Sequence, residues 1–444
     1  MALNEKDGAL DIVDERGALS EDPALSAALP PRRPGAGVSR AFSSLRQRNF
    51  RLFWCGQTVS LTGSYMQSIG QAWLVLELTH SAFQLGLVGA LQSLPVLLFS
   101  LVGGVLADRW PKRRVLLWTR SAAMVQALLL WALIATGTVQ LWHVYVLALL
   151  LGLTNCLGRP TGQAFVVELV GRADLPNAMA LNSSLSNLTR IVGPGLGGVI
   201  IAAGGVATLF LLNALSFIAV IVGLALIKSR ELHAQAPRHT DAGARQTTWQ
   251  SLREGVAYVW NTPAVSLVIL VAGLVLLFGS NFDVVLPFFA TDVLHVGARG
   301  FGFLSAAAGA GSLIASLWLA WSNGRPTVRR VLIGALVFGV LEAVFAVSRV
   351  YPLSLALIAS VGAAEIAFAT VAMTMLQTAA PDHLRGRVMS VCILFFDGSL
   401  PLGYLLMGWL SGRYGASVAL LSGALLSLLV AGGGWLSRKP LGVA

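Results

Sequence analysis

Long apolar runs follow one another from Phe50 almost to the end of the chain, and no other feature constrains the fold as strongly. A transmembrane helix needs about 20 mostly apolar residues, and each run is long enough. The predicted spans are 50–76, 83–107, 114–137, 142–166, 178–203, 206–227, 264–289, 300–321, 329–348, 352–377, 388–411 and 416–436. The chain is therefore expected to be an all-α polytopic membrane protein with twelve transmembrane helices.

Composition excludes a soluble enzyme and points to no cofactor. Of the 444 residues, 56% are hydrophobic and 11% are charged, whereas a soluble domain has about 25% charged residues. The three cysteines are scattered within predicted spans, and the six histidines have no metal-ligand spacing. The sequence contains no nucleophile–base pair within a span and no Gly-x4-Gly-Lys-Ser/Thr loop. An enzyme, a metal site, a cofactor and a nucleotide-driven pump are therefore not expected.

Polar segments divide the chain into domains. The expected parts are a disordered cytoplasmic tail (1–40), an N-terminal six-helix bundle (41–228), a cytoplasmic linker (229–263), a C-terminal six-helix bundle (264–437) and a cytoplasmic tail (438–444). In the linker, Trp249, Leu252 and Val256 recur at helical spacing, which predicts an amphipathic helix on the membrane surface. Basic residues cluster before the first span, at 109–120 and in the linker, so both termini are expected in the cytoplasm. This topology accounts for the net charge of +11 without nucleic acid.

The two halves of the chain repeat each other. Adding 216 to a residue number carries Gly86 to Gly302. Later in each half, adding 210 carries Gly198 to Gly408. Two similar six-helix bundles, related by an axis along the membrane normal, are typical of transporters that bind substrate between the bundles.

The first loop on the predicted cytoplasmic side reads Gly-Val-Leu-Ala-Asp-Arg-Trp-Pro-Lys-Arg-Arg from Gly104 to Arg114. It resembles the signature loop between the second and third helices of the major facilitator superfamily. The resemblance implies that Asp108 meets the positive end of helix eleven and latches the cytoplasmic side shut. The predicted latch residues are Gly104, Asp108, Arg109 and Arg113. The second half has Gly324 where the first has Asp108, so the symmetric latch lacks its carboxylate.

Span five contains Gly193-Pro194-Gly195-Leu196-Gly197-Gly198, which is similar to the antiporter motif of exporting members of that superfamily. A mid-span proline kinks the helix, and the glycines let a neighbouring helix pack closely. Segments 177–182 and 384–390 look like the enterobactin-exporter-like branch, the transmembrane secretion effectors. The resemblance covers about residues 42–437 and implies twelve helices, alternating access and efflux, without fixing the substrate.

Ionised residues within the spans are costly, at about 2.5–3.5 kcal/mol each near the bilayer centre, so each is expected to face a cavity or a partner. The first half contributes Arg159 and Arg190, and the second half contributes Asp283, Glu342, Glu365 and Asp397. The superfamily resemblance implies that spans 4, 5, 7, 10 and 11 line a central cavity. The arginines are therefore expected to face the acids across it, except for Glu342 on the peripheral ninth span, which is expected to be structural.

Two interpretations of these charges stay open. In one, arginine and acid pair across the halves as a gate and never touch substrate. In the other, one carboxylate binds a coupling proton because poor hydration disfavours its charged form. The order of preference for this carboxylate is Asp397, Glu365 and Asp283. The predicted cavity or gate residues are Gln57, Gln71, Arg159, Gln163 and Arg190, and the arginines would attract an anionic or catechol-bearing substrate.

The sequence therefore predicts a monomeric secondary transporter of the bacterial inner membrane. It is expected to export a small amphipathic molecule, siderophore-like or drug-like, in exchange for protons. Its expected partners are that molecule, protons and membrane lipid, with no nucleic acid and no cofactor. An importer or uniporter of a small metabolite and a non-transporting receptor remain as alternatives.

Overall fold

The computed structural model describes residues 43–233, 248–322, 326–381 and 384–437, without the side chains at 100–109, 172–173 and 248–252. The tails predicted at 1–40 and 438–444 lie outside the described residues. A short 3₁₀ turn, Ser43–Arg46, leads into the first membrane helix.

Twelve membrane helices make up most of the described chain, and the described residues contain no β-strand. They are α1 Arg48–Thr79, α2 Ala82–Arg109, α3 Lys112–Ala135, α4 141–170, α5 172–204, α6 206–226, α7 Pro263–Val293, α8 Ala298–Trp321, α9 Val328–Val347, α10 Tyr351–Ala379, α11 Arg385–Tyr414 and α12 Ala416–Ser437. Each predicted span coincides with one of these helices, with ends shifted by a few residues. The all-α, twelve-helix prediction is confirmed.

Two glycines separate α4, α5 and α6. The chain is helical from Leu141 to Leu226, 86 residues, except at Gly171 and Gly205, where φ is 70° and 76°. Glycine adopts positive φ without the steric cost that other residues meet. An unbroken helix of this length would extend about 129 Å, several times the roughly 30 Å hydrocarbon core of a bilayer. The two breaks therefore turn one long helical segment into three membrane helices.

Ten helical stretches of the described chain are long and apolar enough to cross a membrane. One of them, Asp174–Leu226, has 53 residues and holds most of α5 together with α6. The first helix, α1, has 32 residues but is more polar, with charged residues at Arg48, Arg51 and Glu77. Counting α1 and dividing the 53-residue stretch at Gly205 gives twelve crossings.

The seventh helix is interrupted near its middle. Pro263–Gly279 is regular, Ser280 and Asn281 leave the helical region with ψ of 45° and 30°, and Phe282–Phe288 resumes the helix. A π-helical turn, Phe289–Val293, ends it. We call the residues 279–281 the α7 break.

Helices α2 and α11 meet across the two halves at a pair of glycines. A methyl group at Gly408 would lie 2.7 Å from the carbonyl oxygen of Ala82. A methyl group at Gly86 would collide with the carbonyl oxygen of Tyr404. Glycine at these two positions lets the helix backbones touch.

Helices α5 and α8 make the matching contact. Methyl groups at Gly198 and Gly302 would each lie 2.6 Å from a carbonyl oxygen, that of Ala298 and that of Pro194 respectively. The sequence repeat relates the two contacts residue by residue. The offset of 216 carries Ala82 to Ala298 and Gly86 to Gly302, and the offset of 210 carries Pro194 to Tyr404 and Gly198 to Gly408. The predicted pseudo-symmetry of the two six-helix bundles is therefore confirmed at the contacts between them.

Both contacts lie at the same end of the molecule, which carries the turns at 80–81 and 294–297. We call it the closed end. Contact between the halves continues along the helices to Leu97, whose Cδ1 is 3.4 Å from a methyl position at Gly398. This is about 22 Å along α2 from Ala82, so the halves touch over roughly half the length of a span.

The linker contains the helix Thr248–Asn261, which we call the linker helix. Tyr258 donates a hydrogen bond to the carbonyl oxygen of Ala379 at 3.0 Å, and Glu254 pairs with Arg387 at the start of α11. Trp260 on the same helix is 82% exposed. The linker helix is therefore fastened to α10 and α11 along one side. The side chains of Trp249 and Leu252 lie outside the description.

Candidate functional site

Charged side chains from the two halves face each other between the bundles. Arg159 of α4 and Asp397 of α11 lie within electrostatic range of each other, and both are exposed. Arg190 of α5 and Glu365 of α10 also lie within electrostatic range of each other. Because each pair joins one half to the other, these groups line the surface between the bundles rather than the lipid-facing exterior.

Glu365 is the most enclosed of the three predicted coupling carboxylates. It is half-buried, whereas Asp283 and Asp397 are exposed. Its Oε1 accepts a hydrogen bond from the Ser280 hydroxyl at 2.6 Å. The donor belongs to the α7 break, so the carboxylate is held against the point where α7 is interrupted.

Tyr404 connects several of these charges, and sequence reasoning missed it. Its hydroxyl donates to Asp283 Oδ2 at 3.3 Å, and it lies within electrostatic range of Glu365 and Arg159. Its ring packs against Gly89, where a methyl group would lie 2.8 Å away. The available signal was its place in the repeat, opposite Pro194. We call Arg159, Arg190, Asp283, Glu365, Asp397 and Tyr404 together the central seam.

The charges of the central seam do not pair directly. The ion pairs within 4.0 Å in the described part of the chain all lie elsewhere, between Lys112 and Glu168, Lys228 and Glu231, and Arg387 and Glu254. Arginines and acids of the seam therefore interact at longer range. None of these acids is therefore neutralised by a direct ion pair among the described residues.

Arg120 was grouped with the loop segment 109–120, and this assignment is corrected by the structure. It lies within α3, which begins at Lys112, and is within electrostatic range of Arg159. It therefore adds positive charge beside the seam rather than at the membrane surface. The predicted span 114–137 already contains this position, so the topology count should have left Arg120 out.

The predicted amides occupy different surroundings. Gln163 is exposed one helical turn after Arg159, on the same side of α4. Gln71 is buried and donates to Gln92 at 3.1 Å, so it ties α1 to α2. Gln57 is half-buried, and its Oε1 has no hydrogen-bond partner among the described residues. Of the three, Gln163 is the one that the geometry brings beside an arginine of the seam.

Glu342 lies behind the seam on α9. It is 1% exposed, and its Oε2 has no hydrogen-bond partner in the part of the chain that the structure describes. It is also within electrostatic range of Glu365. The expectation of a purely structural residue did not anticipate this neighbour.

The glycines of the antiporter-like motif fit α5 between α1 and α8. A methyl group at Gly193 would lie 2.5 Å from Cβ of Tyr65, and one at Gly197 would lie 3.3 Å from Cα of Met66. Gly198 faces α8 instead, and the carbonyl of Pro194 meets Gly302. The motif therefore forms the helix contact that closes one end of the molecule.

The predicted latch is described only in part. The backbone of Gly104, Asp108 and Arg109 belongs to α2, and their side chains lie outside the description. Arg113 donates to the carbonyl oxygens of Leu224 and Ala225 at the end of α6, each at 2.7 Å. The latch role therefore stays a prediction, while Arg113 is seen bound within its own half.

Among the described residues, no group of three or more His, Cys, Asp or Glu side chains is arranged to hold a metal ion.

The model of the transmembrane secretion effector family matches residues 39–440. The chain belongs to this family of the major facilitator superfamily. The family consists of membrane transporters, so the protein is a multi-pass membrane transporter of the efflux and secretion type.

Curated relatives match most of the length of this chain. The multidrug efflux pump Tap of Mycolicibacterium fortuitum is 31% identical over 381 residues, which are 83% of this chain and 90% of that protein. The staphyloferrin A transporter of Staphylococcus aureus is 26% identical over 82% of this chain and 90% of its own length. The enterobactin exporter EntS of Shigella boydii is 28% identical, over 76% and 79%.

Solved structures share the fold of this chain. The nucleoside transporter NupG superimposes with a TM-score of 0.70 at 12% sequence identity, covering 89% of this chain and 99% of that one. A bacterial homologue of the lysosomal transporter Spinster, in an inward-facing occupied conformation, gives 0.69 at 10% identity over 89% and 97%. The major facilitator fold expected from the sequence is therefore confirmed.

Proposed function

We propose that this protein exports a small amphipathic molecule across the bacterial inner membrane in exchange for protons, by alternating access. The cargo is siderophore-like or drug-like, and the working unit is a monomer surrounded by lipid. The names of the relatives support this cargo class, because these proteins are a multidrug efflux pump, a staphyloferrin A transporter and an enterobactin exporter.

The observation that carries the proposal is the central seam, where arginines of one half face acids of the other without pairing. A charge inside a membrane protein is costly unless it is partnered or hydrated. Opposite charges that face each other across the two bundles without pairing therefore favour a hydrated path between the bundles. Cargo and protons would use this path in turn. A purely structural gate would be better served by direct ion pairs.

The proposed orientation has both termini in the cytoplasm and the closed end on the opposite side of the membrane. The basic start of α3, at Lys112 and Arg113, lies at the end away from the closed end, in agreement with the positive-inside rule. Cargo would then enter the seam from the cytoplasm. Rocking of the two bundles would carry it outward.

We assign the coupling proton to Glu365, ahead of Asp397 and Asp283. A carboxylate that binds a proton near neutral pH needs poorly hydrated surroundings, and Glu365 has the more enclosed ones. Asp397, which ranked first on sequence, is exposed and faces Arg159. In this proposal Asp397 and Arg159 attract and orient cargo, and Glu365 exchanges the proton opposite Arg190.

Inverted membrane vesicles with an acidic interior test the proposal. Ethidium, staphyloferrin A and enterobactin serve as probes of the drug-like and siderophore-like classes. We expect uptake of at least one probe that collapses when a protonophore is added. Glu365→Gln should abolish gradient-driven uptake, and the acid-to-amide control Glu231→Gln, at a surface residue, should leave it unchanged.

Three outcomes would contradict the proposal. Uptake that ignores the gradient would exclude proton coupling. Gradient-driven accumulation only in right-side-out vesicles would favour the importer alternative. If Glu365→Gln keeps its proton coupling and Asp397→Asn loses it, the coupling proton binds at Asp397 instead.

A further inference from the structure

Glu342 is a buried acid that the proposed mechanism does not use. It is 1% exposed, and its Oε2 finds no hydrogen-bond donor among the described residues. A buried acceptor without a donor is destabilising, and a buried charge without a partner more so. A proton bound at Oε2 removes the charge and turns this oxygen into a donor. The surroundings of Glu342 therefore suit a group that binds a proton.

The α7 break brings Glu342 and Glu365 together. A methyl group at Gly279 would lie 3.0 Å from Glu342 Oε2. The next residue, Ser280, donates to Glu365 Oε1 at 2.6 Å. Two consecutive residues of the break thus touch the two carboxyl groups, which lie within electrostatic range of each other.

The groups around the pair supply little positive charge. Glu365 faces Arg190 of α5, and it also faces two further oxygen-bearing groups, Asp283 of α7 and Tyr404 of α11. On the other side of α9, the contact with α12 at Gly339 is made by the aliphatic side chain of Leu428. Among the described residues Arg190 is the guanidinium that acts on Glu365, whereas Arg159 acts on Asp397 and Tyr404. A single guanidinium does not balance Glu342, Glu365 and Asp283 together, so the two carboxyl groups are not both ionised at low cost.

We propose that Glu342 is an inner proton-binding site of the transport cycle and exchanges its proton with the central seam through Glu365. A proton from water in the seam binds the carboxylate of Glu365. It then passes to the carboxylate of Glu342, which becomes a carboxylic acid, and Glu365 returns to its ionised form. Glu365 binds a second proton, and release follows the reverse order. This inference rests on the proposed proton coupling and gives the pair two exchangeable protons.

Infrared difference spectroscopy of the full-length protein in lipid nanodiscs tests the site without any cargo. The pH is changed from mildly alkaline to mildly acidic, and the carbonyl stretch of protonated carboxylic acids is followed. We expect Glu342→Gln, a neutral isostere, to remove one component of this signal and leave the other. Glu365→Gln should remove its own component and slow the appearance of the Glu342 component after a pH jump. The control Glu231→Gln should leave both buried components.

A full wild-type signal in Glu342→Gln would overturn the proposal. An unchanged rate for the Glu342 component in Glu365→Gln would overturn the exchange route. Should Glu342→Gln fail to fold, Glu342→Asp retains the acid on a shorter side chain. This variant must then shift the pH at which the component appears, and an unshifted component would overturn the proposal.

The coupling ratio in proteoliposomes is a second, functional measurement. With ethidium as the transported probe, Glu342→Gln should lower the number of protons moved per ethidium to about half the wild-type ratio. An unchanged ratio would overturn the role of Glu342 in the cycle. If wild-type transport shows no dependence on protons, the proposed function fails, and the infrared result still decides whether Glu342 binds an exchangeable proton.

Discussion

At the scale of single residues, one guanidinium fastens the start of α3 to the end of α6. Arg113 donates to the carbonyl oxygens of Leu224 and Ala225 and, at 2.8 Å, to the hydroxyl of Ser229. The last carbonyl groups of a helix have no partner within it, and a basic side chain that binds them stabilises the helix end. The basic cluster of the signature loop therefore stabilises the first half through Arg113.

Arg113→Ala should destabilise the first half. Each buried hydrogen bond to a charged group contributes about 1.5–3 kcal/mol to stability. Because Arg113 is partly exposed, we expect its removal to lower the free energy of unfolding by about 1–3 kcal/mol in total. The thermal unfolding midpoint of the purified protein measures the effect. Arg114→Ala, at the exposed neighbour, is the matched control, and an equal loss in both variants would contradict the proposed role of Arg113.

From the sequence, only the charged members of the central seam could be predicted, because the cost of burying a charge determines where they lie. Arg159 and Arg190 had to face the acids of the other half because lipid does not solvate ions. Tyr404 is uncharged, so the cost of burying charge did not predict its contact with Asp283. The surroundings of Glu342 depend on the α7 break, which local sequence did not reveal.

At the scale of secondary structure, hydropathy predicted the membrane helices well and their polar extensions poorly. The helix α5 begins at 172, six residues before the predicted span, because 172–177 is polar. Polar residues that continue a helix beyond its apolar part give no signal in the apolar pattern. The α7 break was missed because hydropathy is continuous across it, although its polar residues Ser280 and Asn281 are visible in the sequence.

The contact between α5 and α8 makes a sharp prediction for Gly198→Ala. The added methyl group would lie 2.6 Å from the carbonyl oxygen of Ala298, so the closed end should no longer close fully. The parent protein for spin labelling has its three native cysteines replaced by alanine, because Cys55 is exposed and would also react. Spin labels at Thr208→Cys and Arg299→Cys, both exposed near this end, should then show a longer distance in Gly198→Ala.

Gly195→Ala provides the control for this experiment. Its methyl group would lie 3.6 Å from Cβ of Ala306, which is an ordinary contact. The label distance in Gly195→Ala should match that of the parent protein. Equal distances in Gly198→Ala and Gly195→Ala would contradict a closing role for the glycine contact.

At the scale of the whole molecule, the pseudo-symmetry constrains how the two bundles move. The contact of α2 with α11 and that of α5 with α8 are copies of each other, and both lie at the closed end. Opening this end must therefore separate both contacts together, as a rigid rocking of the bundles does. The same motion would bring the opposite ends of these helices together around the central seam.

Alternating access is tested most directly by measuring two distances in the same protein in lipid nanodiscs. One pair of spin labels, Thr208→Cys and Arg299→Cys, reports on the closed end. The other, Met179→Cys and Trp321→Cys, reports on the opposite end, where both residues are exposed. When the pH is moved through the protonation of Glu365, one distance should lengthen as the other shortens, and Glu365→Gln should abolish the response. Two distances that change in the same direction, or that both ignore pH in the parent protein, would contradict the account.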